Sequence, residues 1–250
     1  MKQAQVTQFI DNHKNKTCKI IEIFDSLSGE GSTIGIPVSF VRVANCNLRC
    51  SFCDTKYSYN ECEATNFTFS EVLEKLKEFD NEIVVCTGGE PLLTDNNSRL
   101  LPLFLSANGY KVYVETNGSV KLFSKEELLK NELRKNIKYV VDLKCPYSKM
   151  NIKDILETNA ELLDDGDEIK CVVANKEDFD FAIDKINKIK NIIKDKNINI
   201  IFSPVFNAID LAELAEMIKS KKQIIKNTKM NIKMGIQLHK IIWPQIEKGV

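Results

Sequence analysis

Three cysteines fall within the run Cys46-Asn47-Leu48-Arg49-Cys50-Ser51-Phe52-Cys53-Asp54-Thr55. Thiolates bind iron, and cysteines this close on one loop can reach three corners of a 4Fe–4S cubane. A structural zinc site would want a fourth protein ligand, and so would an electron-transfer cluster. Cys62 is the nearest further cysteine, but its polar surroundings Asn60-Glu61-Cys62-Glu63 offer no proline and no metal-loop spacing. Three protein ligands leave one iron open to a chelator from outside the chain. Of the other cysteines, Cys18, Cys86, Cys145 and Cys171 lie in or beside apolar runs and read as small buried hydrophobes.

The elements that would carry this loop are strands alternating with helices. Strands are expected at Lys19–Phe24, Val38–Val43, Glu82–Thr87, Lys111–Glu115, Tyr139–Leu143, Ile169–Val173, Ile198–Phe202 and Ile232–Leu238. Helices are expected after Thr68, with Glu71 closing a capping box, over Asp95–Ala107, after Ser124 with Glu127, and over Asn151–Leu163, Lys176–Lys194 and Ala208–Ser220. Such alternation implies parallel pairing with outer crossover helices. The length falls short of an eightfold barrel, so the fold class expected is α/β, an incomplete (β/α)6 barrel. It forms a single domain over residues 1–250, with 1–18 as an N-terminal extension. Chemistry in such folds collects where the strands end. Five polar turns fall there: Thr87 to Pro91, Glu115 to Gly118, Asp142 to Lys144, Ser203-Pro204 and Gln237 to His239.

Lysine plus arginine balances aspartate plus glutamate at 35 each, which argues against a partner held by phosphate neutralisation such as nucleic acid. No apolar run approaches a membrane span, and Met1 to Lys19 shows no apolar signal core. A cytoplasmic setting is expected, where clustered cysteines favour metal over disulfides. The lysine-rich stretch from Lys176 reads as a solvated helix face.

The spacing Cys46-x3-Cys50-x2-Cys53 resembles the signature of the radical S-adenosylmethionine (SAM) superfamily, whose fold is this partial barrel. In that family SAM chelates the open iron, takes one electron and releases a 5′-deoxyadenosyl radical. Thr87-Gly88-Gly89-Glu90-Pro91 resembles the family's Gly-Gly-Glu-Pro motif for the methionine end of SAM. Two glycines let backbone approach a ligand, and a carboxylate such as Glu90 can bond an amino group. A side chain at Gly89 is expected to intrude on SAM while leaving iron in place.

Ser26-Leu27-Ser28-Gly29-Glu30-Gly31, Phe40-Val41-Arg42-Val43, Gln237-Leu238-His239-Lys240-Ile241-Ile242-Trp243 and Gly249-Val250 together look like the 7-carboxy-7-deazaguanine synthase family of deazapurine and queuosine biosynthesis. The resemblance runs from about Ile20 to the C-terminus. It implies a lyase that contracts the ring of 6-carboxy-5,6,7,8-tetrahydropterin after hydrogen abstraction at C6, with loss of ammonia. It further implies regenerated SAM, Mg2+ on the hydroxyl of Thr55, a homodimer, and an electron donor such as flavodoxin or ferredoxin.

Carried over residue by residue, the resemblance implies that SAM meets Phe52, Cys53, Asp54, Gly88, Gly89 and Glu90. It adds Glu115, then Asp142, Leu143 and Lys144, then Ser203, Pro204 and Val205. The substrate set is Leu27, Ser28, Gly29, Arg42, Thr87, Gln237, His239 and Val250. Ser28 stands where the family usually has glutamine, and Asp142-Leu143 where many members have Ser-Pro. Against these roles stand a surface ion pair for Arg42, a turn or capping role for Thr55 and a satisfied core position for His239. The competing functions are a glycyl-radical activating enzyme, which would need a groove for a peptide, and an Fe–S electron carrier, which would need no Gly-Gly-Glu-Pro turn.

Overall fold

Runs such as Ile83-Val84-Val85-Cys86 and Tyr139-Val140-Val141 are apolar on both faces, the pattern of strands covered on both sides. In the computed structural model, which describes residues 2–94, 97–150 and 155–250, they form one nine-stranded sheet. β1 (Thr17–Leu27) and β2 (Pro37–Val43) make an antiparallel hairpin, and β3 (Thr65–Thr68) pairs antiparallel with the start of β1. β4 (Ile83–Gly88), β5 (Lys111–Thr116), β6 (Ile137–Lys144), β7 (Glu168–Val173), β8 (Asn199–Pro204) and β9 (Asn231–Met234) continue from β2 in parallel. Six crossovers thus join seven parallel strands. The order is β3-β1-β2-β4-β5-β6-β7-β8-β9, and among the described residues β3 and β9 do not pair, so the barrel is open.

The helices are α1 (Lys2–His13), α2 (Phe69–Phe79), α3 (Leu100–Ala107), α4 (Leu156–Leu162), α5 (Lys176–Ile193), α6 (Leu211–Ser220) and α7 (Leu238–Ile242). The capping box expected at α2 is present: Glu71 N–H donates to Thr68 Oγ1 (3.1 Å), and Thr68 N–H to Glu71 Oε2 (2.7 Å). None of the described helices is long and apolar enough to cross a membrane.

Side chains alternate across each strand, and this decides what faces the barrel interior. Val41, Val84, Val112, Val141, Ile169 and Ile200 point outward into the main core, where Leu76, Leu103 and Ile186 meet them from the helices. The opposite face carries a small apolar cluster of Phe24, Val38, Phe40 and Val85, with Ile83 and Tyr113 packed against it. Phe24 and Phe40 stack at 4.8 Å between ring centroids. Further along the same inward face stand Arg42, Thr87, Glu115, Asp142 and Lys170. An apolar plug therefore closes the bottom, and a charged layer lies above it.

Several expectations are corrected. The polar N-terminus forms α1, because Val6, Phe9 and Ile10 give it one apolar stripe against the core. β1 begins at Thr17, inside the expected extension, with Cys18 buried. Ser124 and Glu127 do bond as a cap, but Leu129, Lys130 and Asn131 take positive φ and the chain runs on in turns. The last strand stops at Met234, and Leu238 onward is the helix α7. The expected helix starts at Asp95 and Asn151 lie outside the described residues; α3 is described from Leu100 and α4 from Leu156.

Candidate active site

A cavity of about 560 Å³ opens at the C-terminal ends of the parallel strands, within the size range of small-molecule sites. Cys46, Cys50 and Cys53 all line it, from the loop after β2. Cys62 is exposed and outside it, and Cys18, Cys86, Cys145 and Cys171 are buried away from it. Among the described residues, no three Cys, His, Asp or Glu side chains stand close enough to hold one metal ion. Sulfurs spread along a cavity wall suit a cubane instead, in which each iron takes its own thiolate. Burial raises the Cys46 and Cys50 thiols, with Lys144 working the other way at Cys50. A bound metal would stabilise both as thiolates.

The loop is shaped by the turn after β4. Gly89 N–H donates to Val43 O (2.9 Å) and Glu90 N–H to Asn45 O (2.7 Å). Gly88 has φ +129°, and a Cβ on it would overlap the Val43 backbone. A Cβ on Gly89 would overlap the Asn45 carbonyl, so a side chain there strikes the cysteine loop. A side chain there would thus press on a cluster-ligand loop as well as on SAM.

Glu90 is fully buried and does not line the cavity. It accepts from Leu92 N (3.0 Å), Thr116 Oγ1 (2.8 Å) and Asn117 N (2.7 Å). Asn117 in turn reaches Asn47 Oδ1 (2.9 Å) and Cys46 Sγ (3.7 Å). Glu90 thus braces the rim against the cysteine loop. Leu143 is also absent from the cavity, because strand alternation turns it outward into the core. The rest of the expected SAM set lines the cavity: Phe52, Asp54, Gly88, Gly89, Glu115, Asp142, Lys144, Ser203, Pro204 and Val205. Ser203 Oγ is buried without a hydrogen-bond partner, a cost that a bound polar group would relieve.

The expected substrate residues line the same cavity. Ser28 is buried, with its hydroxyl bonded to Thr33 Oγ1 (2.7 Å) and donated to Glu30 O (3.1 Å). Arg42 does form an ion pair, from Nε to Glu22 Oε1 (2.5 Å), but a nearly buried one at the cavity wall. Thr87 Oγ1 donates to Glu115 Oε2 (2.7 Å), and burial raises the Glu115 carboxyl while Lys170 opposes the rise. His239 packs on Gly29, and burial lowers its imidazole while Glu30 and Asp54 oppose the fall. Gln237 Nε2 donates to Glu30 Oε1 (2.7 Å), and Val250 reaches the cavity beside Gly249, whose N–H donates to Glu22 Oε2 (3.1 Å). Thr55 precedes a short turn without capping it, and its hydroxyl lies 3.7 Å from Cys53 Sγ.

Residues 41–218 match the model of the Radical SAM superfamily. The chain is 36% identical to the 7-carboxy-7-deazaguanine synthase of Clostridium acetobutylicum, over 93% of this chain and 99% of that protein. It is 33% identical to the synthase of Koribacter versatilis, over 93% of this chain and all of that one. The chain belongs to the 7-carboxy-7-deazaguanine synthase family. The crystal structure of QueE from Escherichia coli shares the fold, with a TM-score of 0.68 at 22% identity, covering 92% of this chain and 98% of that one.

Set against this synthase family, sequence reasoning passed over three charged residues of the site. Lys170 and Glu30 pair at 2.8 Å in the cavity wall, and Lys240 of α7 pairs with Asp54 at 2.9 Å across its mouth. Lys170 could have been found from alternation alone. A lysine two residues from each of Glu168 and Val172, in an apolar parallel strand, must share their inward face.

Proposed function

We propose that this radical SAM enzyme of deazapurine biosynthesis converts 6-carboxy-5,6,7,8-tetrahydropterin to 7-carboxy-7-deazaguanine with release of ammonia. The observation that carries this is convergence. The three cysteines, the Gly88-Gly89 turn, the Leu27–Gly29 loop and Arg42 all open on one cavity, in a chain related over 93% of its length to deazaguanine synthases. Cys46, Cys50 and Cys53 would hold the 4Fe–4S cluster, which with SAM supplies the electron and the carbon radical that takes hydrogen from C6. Lys144, Ser203 and the backbone of Gly89 suit the polar end of SAM. Phe52 and Val205 offer apolar surface to its adenosyl half. Arg42 and Thr87 would orient the pterin, Thr87 braced by Glu115, with the Nη groups of Arg42 left to fork onto its carboxylate while Nε pairs with Glu22. Gln237, His239 and Val250 would close the cavity over the ring.

Thr55 suits a magnesium ligand, because its hydroxyl makes no capping bond. A hard cation with one oxygen ligand and several waters fits that position. An external donor such as flavodoxin or ferredoxin would supply the electron. The exposed Ile241, Ile242 and Ile246 support a homodimer, and a chain without disulfides supports a cytoplasmic setting. The relatedness to deazaguanine synthases over 93% of the chain disfavours a peptide-activating role.

The test is anaerobic reconstitution, followed by incubation with the carboxytetrahydropterin, SAM, magnesium and a reductant. Formation of 7-carboxy-7-deazaguanine is expected, and SAM cleavage without it would refute the assignment. Thr55→Val keeps shape and removes the oxygen. It should retain the cluster and SAM binding while losing magnesium stimulation; full stimulation in that variant would place the ion elsewhere.

A further inference from the structure

Lys170 is the most enclosed cation of the cavity wall besides Lys144, with 11% of its side chain exposed. Its Nζ lies 2.8 Å from Glu30 Oε2 and 3.3 Å from Asp142 Oδ1. Asp142 also pairs with Lys144 at 2.6 Å, and Glu30 also accepts from Gln237 at 2.7 Å. One polar chain therefore runs from the Gln237 amide through the charges of Glu30, Lys170, Asp142 and Lys144. Its first end lies at the loop that carries Leu27 to Gly29, and its last beside the cysteine loop, where Lys144 Nζ stands 5.8 Å from the Phe52 ring. Glu115 faces the same ammonium from β5 and raises its proton affinity, along with Asp142 and Glu30.

An ammonium has three N–H donors, and Glu30 and Asp142 engage two. Lys170 also sits deep: Val172 and Ser203, registered side by side, lie nearer the rim on the same inward face. Small acceptors on a ligand at the cavity floor are thus within its remit, whereas the rim above it belongs to Ser203 and Val205. Without the ammonium, three carboxylates would share one low-dielectric wall and repel an anionic ligand.

We propose that Lys170 determines substrate binding on the floor of the cavity, by fixing the Glu30 and Asp142 carboxylates and donating its remaining N–H to an acceptor on the pterin ring. This rests on the pterin assignment above. Lys170 is a specificity-determining residue for the ring, and its loss leaves SAM capture at the rim in place.

The test measures two affinities on anaerobically reconstituted protein: SAM, from the change it makes in the EPR spectrum of the reduced cluster, and the carboxytetrahydropterin, by calorimetry. Lys170→Met keeps the stem and removes the charge. Its pterin affinity is expected to fall by about tenfold or more, the worth of one charge-assisted hydrogen bond, while SAM affinity stays within about twofold. Lys170→Arg should recover part of the loss. Because Lys170→Met leaves carboxylates unpaired, Glu30→Gln with Lys170→Met removes both charges of the pair and keeps the fold testable. That double variant should also lose pterin affinity and keep SAM. Unchanged pterin affinity in either variant overturns the proposal, and so does an equal loss of both affinities, which would make Lys170 a structural support. A parent protein that binds SAM but no pterin instead overturns the function assigned above, and this inference with it.

Discussion

Gly89 holds its place because of its neighbour's backbone. A Cβ there meets the Asn45 carbonyl and the Cys46 amide, neither of which can move without moving a cluster ligand. Gly89→Ala should therefore lower iron bound per chain and cost about 1–3 kcal/mol of apo stability, typical of overpacking. Normal iron content with weakened SAM binding would restore the simpler idea that the turn touches only the cofactor. Glu90 makes a separate prediction. Burial pushes its carboxyl up to about 7, from 4.5 in a free chain. The folded state then keeps a proton that the unfolded chain has already lost. The resulting stability is full below about pH 4.5 and fades as pH rises through about 7. Glu90→Gln should flatten that dependence, so urea midpoints at about pH 5 and about pH 8 should differ less in the variant than in the parent. An unchanged difference would mean that another group sets it. Cys46, Cys50, Cys53 and the two glycines were legible as a site because metal spacing and tight turns are local properties. Glu90's inward turn was not, since it depends on Thr116 and Asn117 of the next strand's end.

Among the elements, α7 departs most from the sequence pattern. Leu238-His239-Lys240-Ile241-Ile242 reads as a strand by composition, yet it forms a helical turn because Gly235 must pack its backbone against Ser203 and Leu238 N–H donates to Gly29 O (2.9 Å). Tertiary contact overrides a weak β preference. The central strands were legible for the opposite reason: their apolar runs are long, and alternation gives each residue one face. The same rule that turned Leu143 outward brought Asp142, Lys144 and Lys170 inward. α7 is held to the cysteine loop by Lys240 and Asp54, with 24% and 48% of their side chains exposed. Pairs that open to solvent contribute roughly 0–1 kcal/mol, so Lys240→Ala should barely change the melting temperature. It should instead speed SAM dissociation by releasing the mouth, which stopped-flow displacement would measure. An unaltered off-rate would show that α7 does not guard the cavity.

For the molecule as a whole, the open edge of the barrel is the point of weakness. The loop between β1 and β2 reaches across the interior to β7 and to the segment after β9. Ser32 donates both its N–H and its hydroxyl to Glu168 Oε1 of β7, while Gly29 and Glu30 meet Leu238 and Gln237 from the other side. Glu168→Ala would strand both donors and should cost about 1–3 kcal/mol, read as a lower urea midpoint. Ser32→Ala keeps the backbone bond and should cost less; the reverse order would show that the hydroxyl alone secures the seam. The pairing of β2 with β4 has a consequence of another kind. The β1–β2 hairpin closes over the local loop 28–36, but β2 meets β4 only after the cysteine loop, β3 and α2 have intervened, and pairings so distant along a chain slow folding. Val43 and Asn45 receive Gly89 and Glu90 only once β4 has docked. A cradle built from two strands in this way would be in place before iron and sulfide are fitted to it. A chain stripped of its cluster by oxygen should then keep its fold and accept iron and sulfide again, which circular dichroism before and after reconstitution would check.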